Sequence, residues 1–209
     1  MNRLRLSHAL AASVCLLAAP FSVRAQGAPP LSSDPASVKA GAYTLESRHA
    51  RILWRVNHMG LSEWFGDFSG ATGSGRFDPA NPSANAVEVT IPTASVTTTN
   101  TTLDGELKSP DWFDASAFPT ISFKSTSVNY SGKATADVAG LLTLHGVTKP
   151  VVLKVVFRAA GPNAMSRRYS VGFDATTSIK RSDFGVAKYV PLVGDDVEII
   201  ISAPFEKQD

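Results

Sequence analysis

Three histidines, His49, His58 and His145, follow the N-terminal segment and limit the acid–base chemistry open to the chain. None stands near a Gly-x-Ser-x-Gly elbow, and catalysis by a Ser–His pair needs a defined base and an oxyanion site. His145, beside a turn glycine, reads more simply as a side chain near a strand end than as a ligand contact. The histidines also lack the i, i+4 or cysteine-paired spacing of a zinc site. Asp104, Glu106, Asp111 and Asp114 crowd one stretch without the spacing of an EF-hand, so solvated helix acids are a better reading than a calcium loop. No catalytic residue, metal ligand or cofactor is predicted.

Arg181-Ser182-Asp183-Phe184-Gly185 is the most distinctive polar segment. If Ile179 faces inward, alternation carries Arg181 and Asp183 to the same side. A guanidinium facing an apolar interior needs a partner, because an isolated buried charge is costly. Two readings stay open: an internal Arg–Asp pair closing a barrel near its helical end, or an Arg181 that also meets a ligand head group.

The elements that would position these groups are strands. From Lys133 to His145, Ala134, Ala136, Val138, Gly140, Leu142 and Leu144 fall at every second position. Val151, Leu153, Val155 and Phe157 repeat the pattern after Pro150, which is expected at the start of its strand. The two segments predict an antiparallel hairpin. At ~3.3 Å per residue the first would reach roughly 40 Å, a length suited to a tall barrel. Ile52, Trp54 and Val56 share another face, as do Val87, Val89 and Ile91. The same holds for Tyr169, Val171, Phe173 and Ala175, and for Val197, Ile199 and Ile201. Gly66, Gly70, Gly73 and Gly75 predict bends or bulges in strands, since no phosphate-loop spacing accompanies them. The rhythm breaks between Thr93 and Phe118, where Ser109-Pro110-Asp111 has the form of an N-cap, a first-turn proline and an acid. One or two short helices are expected there, near one end of an all-β, antiparallel barrel.

Arg3 and Arg5, an apolar run from Ala9 to Ala19 and Val23-Arg24-Ala25 form a secretory signal, with cleavage expected after Ala25. Cys15 would leave with it, so no disulfide is available to the exported chain. Loss of Arg3, Arg5 and Arg24 takes 20 basic residues to 17 against 18 acidic ones, a net charge of −1, which argues against nucleic acid as a partner. No segment is long enough to span a membrane. Residues 26–41, with Pro29, Pro30 and Pro35, read as a flexible leader, and residues 42–206 as one domain.

Gly140-Leu-Leu-Thr-Leu-His-Gly-Val-Thr-Lys-Pro150 resembles the signature hairpin of the YceI-like family of periplasmic lipid carriers. The likeness continues through Tyr43-Thr-Leu, Phe65-Gly-Asp-Phe68, Val87-Glu-Val-Thr-Ile91 and Leu107-Lys-Ser-Pro-Asp-Trp-Phe-Asp114. It resumes at Phe118-Pro-Thr-Ile-Ser-Phe123, Ile179-Lys-Arg-Ser-Asp-Phe-Gly185 and Val193-Gly-Asp-Asp-Val197, so it covers nearly all of residues 42–205. Glu106 stands where similar sequences often carry histidine. The resemblance implies an extended, lipocalin-like β-barrel holding a polyisoprenoid, a quinone-like molecule or a fatty-acyl chain, in the periplasm or outside the cell. Family members can pair, but no heptad or edge signal here establishes a homodimer.

With that fold, Phe65, Phe68, Trp112, Phe113, Phe123, Leu142, Leu144, Phe157, Phe173 and Phe184 are the expected lining, and Arg181 and Asp183 the polar end. Ala134, Ala136, Gly140, Gly172 and Ala175 put little volume on inward or adjacent positions, which favours a cavity over a filled barrel. Burying ~16 methylene-sized groups at ~0.8 kcal/mol each yields on the order of 13 kcal/mol, against an association cost of roughly 4 to 15 kcal/mol. Chain length should therefore control selection. The competing reading is a dry-cored secreted β-domain that binds a protein or glycan through its loops, with Trp64 or Tyr189 as a surface platform.

Overall fold

Alternating apolar residues become long strands in a computed structural model that describes residues 30–209. The signal segment 1–25 and residues 26–29 of the leader lie outside the described residues. Ten strands form: β1 (Gly41–Leu45), β2 (Arg51–His58), β3 (Ser62–Phe68), β4 (Thr72–Phe77), β5 (Ala86–Pro92), β6 (Thr120–Tyr130), β7 (Thr135–Leu144), β8 (Val147–Pro162), β9 (Tyr169–Lys180) and β10 (Val193–Lys207). All neighbours are antiparallel, in the order β1-β4-β5-β6-β7-β8-β9-β10-β2-β3, and pairing of β1 with β10 closes the ring. β1 and β2 both pair with β10, along its C-terminal and N-terminal parts, and β4 and β3 lie beyond them. They act as two interrupted staves, so the barrel has eight.

The β7–β8 hairpin turns at His145-Gly146, between the paired Leu144 and Val147. Both turn residues have positive φ, 50° and 73°, the geometry of a two-residue hairpin whose twist matches its strands. Pro150 lies inside β8 rather than at its start, opposite Leu141. Counting hydrogen-bonded pairs outward from the tight turn leaves its nitrogen facing away from β7. On that side the ladder to β9 begins only at Lys154, so the missing N–H removes no bond.

Two bulges reset which residues face inward. In β6 the register passes from Ser125↔Gly140 to Ser127↔Ala139, so Phe123 and Val128 both reach the interior although their numbers differ in parity. In β8 an extra residue at Arg158 does the same for Phe157 and Ala160, both buried.

Between β5 and β6 one α-helix forms, α1 (Thr101–Leu107), capped by Asn100, whose Oδ1 accepts from the Thr102 and Leu103 amides at 3.1 and 3.2 Å. The helix start expected at Ser109-Pro110-Asp111 is instead a turn, in which the Ser109 carbonyl accepts from the Trp112 and Asp114 amides. Asp104 is not a solvated acid. It accepts from the Thr98 amide at 2.6 Å and the Thr98 hydroxyl at 2.7 Å, tying α1 to the strand-like approach before it.

The described part of the leader is built onto the barrel, contrary to the flexible segment expected. Ser32 and Ala160 exchange two backbone hydrogen bonds of 2.8 and 2.9 Å, and Pro35–Ser37 forms a 3-10 turn capped by Asp34. The Tyr169 hydroxyl donates to the Ser37 carbonyl and that of Tyr43 to the Lys39 carbonyl, each at 2.6 Å. Gly161 permits this docking, since a Cβ there would lie 2.9 Å from Leu31 Cδ2. Few prolines and serines signal burial by composition, which is why these contacts escape a reading of the chain.

Candidate functional site

Inward residues of every stave leave the axis of the barrel open as a cavity of about 630 Å³. Its wall is almost wholly aliphatic and aromatic. Ile52, Trp54 and Val56 come from β2, Val87, Val89 and Ile91 from β5, and Val151, Leu153 and Val155 from β8. In the lower half, Phe77 packs on Tyr43, Phe173 and Phe205 with centroids 5.1, 5.1 and 5.3 Å apart, and Phe157 meets Phe173 at 5.9 Å. These rings occupy the side formed by β1, β4 and β8–β10, while Val128, Ala134 and Ala136 line the facing wall. A slot remains between them.

Phe68, Trp112, Phe113, Phe123, Leu142, Leu144, Phe157, Phe173 and Arg181 are all brought to this wall. Phe65 is not: it is exposed on the outer face of β3, because the pairs Val56↔Trp64, Trp54↔Gly66 and Ile52↔Phe68 turn the even-numbered residues inward. Phe184 is buried but lies off the cavity wall, its carbonyl 3.2 Å from His145 Nδ1. Asp183 faces out and pairs with Lys149 at 3.5 Å. Both depart from expectation for one reason: Arg181–Phe184 is a 3-10 turn, so strand alternation stops at Lys180.

Arg181 is therefore not paired with Asp183. Its Nε, Nη1 and Nη2 donate to the carbonyls of Gly194, Val186 and Val193 at 2.8, 2.8 and 2.9 Å. The register of β10 against β2 slips between Val193 and Val197, and the carbonyls of Val193 and Gly194 lie in that irregular stretch. Burial pushes the guanidinium below its ordinary value, opposed by the charge of Asp195. Asp195 in turn accepts from the Ser182 amide and hydroxyl at 2.9 and 2.8 Å. Burial raises its carboxyl, but those bonds together with Lys180 and Arg181 hold it below the usual carboxylate range. The guanidinium carbon sits 5.4 Å from the Trp112 ring, whose Nε1 donates to Glu106 Oε1 at 3.1 Å. Three of the five guanidinium N–H groups are thus taken up by backbone carbonyls, which makes this end a structural knot.

Small inward residues divide in role. Ala134, Ala136 and Ala175 do border the cavity. Gly140 does not enlarge it, because the Phe123 ring fills its place: a Cβ there would fall 2.4 Å from Phe123 Cζ. Gly172 precedes inward Phe173 and faces Arg158 on the outer surface.

The sequence reading missed both mouths. The lower one gathers Asp78 and Asn85 from the β4–β5 connection, Tyr130 from the end of β6, Lys133 from the β6–β7 turn, and Pro35 and Val38 from the leader. Asn85 Nδ2 donates to the Tyr130 hydroxyl at 2.9 Å. The upper one gathers His58, Trp64, Asn100, Thr102, Leu103, Glu106 and Tyr189. No local pattern marks these residues, since each mouth joins turns distant in sequence. Trp64 turns inward and forms no surface platform, and the interior is not filled as a dry-cored domain requires.

Among the described residues, no three or more His, Cys, Asp or Glu side chains are grouped to hold a metal ion. The histidines occupy separate elements, with His49 on the surface beside Glu46, His58 near Trp64 and His145 beneath Phe118. What the arrangement can do is enclose a long apolar chain.

A sequence profile of the YceI-like domain matches residues 43–205. A "UPF0312 protein" of Ectopseudomonas mendocina is 40% identical over 157 residues, covering 75% of this chain and 82% of the relative. The crystal structure of BcnA from Burkholderia cenocepacia matches with a TM-score of 0.70 and 25% identity, over 77% of this chain and 98% of that one. A polyisoprenoid binding domain from Saccharophagus degradans, implicated in plant cell wall breakdown, has the same fold at a TM-score of 0.59 and 13% identity, over 81% and 100% of the two chains.

Proposed function

The chain belongs to the YceI-like family, and from that membership we propose that it is an exported carrier or sequestering protein for a polyisoprenoid or a similar long-chain amphiphile. It binds and does not catalyse. The observation that carries this reading is the axial cavity, about 630 Å³, within the range of small-molecule sites and walled by apolar side chains along most of its length. The fold shared with a polyisoprenoid binding domain supports the ligand class.

Selectivity follows from shape. Each additional methylene buried contributes about 0.8 kcal/mol, so a chain that fills the slot binds far better than a short one. Export, with removal of the segment ending at Ala25, delivers the protein to the periplasm or the medium. There an apolar tube would shield a lipid crossing water.

Native mass spectrometry of the protein purified from its host tests the proposal, followed by uptake assays with prenols of defined length. An apolar adduct, and affinity rising with chain length, are expected. Repeated recovery of ligand-free protein that takes up no prenol would overturn the reading.

A further inference from the structure

At the upper mouth two tight connections meet. The β2–β3 turn and the segment before β10 are joined by a hydrogen bond from the Met59 amide to the Leu192 carbonyl, 2.9 Å long. The same connections carry four large side chains into solvent: Met59 is 54% exposed, Leu61 87%, Tyr189 52% and Leu192 63%. Single exposed apolar residues are ordinary, but a cluster on adjoining loops marks an interaction site.

Backbone geometry sharpens the point. Met59 and Tyr189 have φ of 59° and 62°, a left-handed conformation that large side chains rarely adopt. Glycine would relieve it at both places. Here bulky side chains occupy the strained positions: Met59 stands more than half in solvent, and Tyr189 meets the Trp112 ring edge-on at 6.1 Å while leaving half its surface exposed. The tip is also continuous with the cavity, because His58, Trp64 and Tyr189 line its upper mouth. Lys188 Nζ, which pairs with Asp111 at 2.7 Å, stands 5.2 Å from the Tyr189 ring, and that ring, apolar in body and polar at its tip, is of the kind that settles at the boundary of lipid and water.

We propose that Met59, Leu61, Tyr189 and Leu192 form a docking tip that inserts into the surface of a lipid bilayer and sets the upper mouth against it, so that an apolar chain passes between membrane and barrel without crossing water. The proposal rests on the carrier reading for its purpose, though not for its geometry. A bilayer suits this tip better than a protein does. Four side chains, each more than half exposed, offer on the order of 400 Å², about half of the ~800 Å² per partner that a stable protein interface buries. Insertion into lipid asks for apolar area and an interfacial aromatic, with no complementary surface.

The test uses the mature protein, phosphatidylcholine vesicles and the double variant Leu61→Ser/Leu192→Ser, neither residue lying on the cavity wall. Wild type should float with the vesicles and exchange a fluorescent prenol with them. The variant should lose at least tenfold in both partition and transfer rate, yet bind prenol supplied in detergent as wild type does. Equal flotation and transfer by the two proteins would overturn the proposal. So would sedimentation showing a dimer that only wild type forms, with no vesicle binding, since a second copy would then cover the tip. A protein that floats but takes up no prenol in any form would support docking and overturn the carrier reading.

Discussion

The indole of Trp54 lies across Gly66, its directly opposed neighbour on β3. A Cβ at Gly66 would fall 2.2 Å from Trp54 Cζ2, 2.5 Å from Cε2 and 2.9 Å from the Thr97 carbonyl. The ring covers the backbone of the glycine, and the glycine sets how far the ring stands out of the cavity.

Gly66→Ala should therefore push Trp54 into the bore. The Thr97 carbonyl blocks escape on one side, and the added methyl costs about 1–3 kcal/mol of stability as overpacking. Prenol affinity should fall together with the melting temperature. Thermal unfolding and prenol titration of the variant check this; an unchanged affinity would mean that Trp54 does not border the bound chain.

Ala136 stands on the wall facing the phenylalanine cluster, paired on β7 with Val155 of the adjacent β8. Ala136→Phe should shorten the usable slot. Long prenols should lose tenfold or more in affinity while short ones change little, because the methylenes excluded are those at the lower end. Competition between prenols of two lengths reads this directly. A uniform loss at all lengths would point to general distortion instead.

Arg181 holds three backbone carbonyls with three different donors. Arg181→Met should lose on the order of 3 kcal/mol or more, since buried carbonyls left unpaired carry their full desolvation cost. Arg181→Lys should recover only part, because an ammonium cannot reproduce the planar fork. Asp183→Asn, on an exposed pair with Lys149, should change stability by less than about 1 kcal/mol. Urea unfolding of the three variants orders them; an Asp183 effect as large as that of Arg181 would restore the internal ion pair.

Burial, with Tyr169 nearby, raises the Tyr43 hydroxyl from 10 to about 12. A folded value above the unfolded one means that its stabilisation is complete below about pH 10 and is lost as pH climbs through about 12. Tyr43→Phe removes the bond to the Lys39 carbonyl and should lower stability by about 1 kcal/mol at neutral pH. It should also lose this part of the alkaline decline. Melting curves of both proteins across the alkaline range decide it, and identical slopes would count against a role for this hydroxyl.

Much of the barrel is legible in the chain because strand burial has a period of two. Ile52, Trp54 and Val56, then Val87, Val89 and Ile91, and the β7–β8 hairpin all reach the interior as their alternation predicts. Eight of the expected lining residues, Phe68 and Trp112 among them, meet at one cavity with Arg181 although they come from separate parts of the chain. Phe65 failed because Trp64 and Phe65 are equally apolar neighbours, and only pairing with β2 tells which one faces in. Phe184 and Asp183 failed because a 3-10 turn has no alternation to extend.

By itself the sequence determined an all-β chain without catalytic or metal spacing, and a set of dry faces that needed burying against one another. Only the tertiary structure decided that those faces enclose a space. Closure joins β1 to β10, the bulges at Thr126 and Arg158 reset parity, and turns far apart in the chain meet at each mouth. Local periodicity fixes which face of a strand is apolar; whether the space behind it stays open depends on ring closure and on how far each side chain reaches across it.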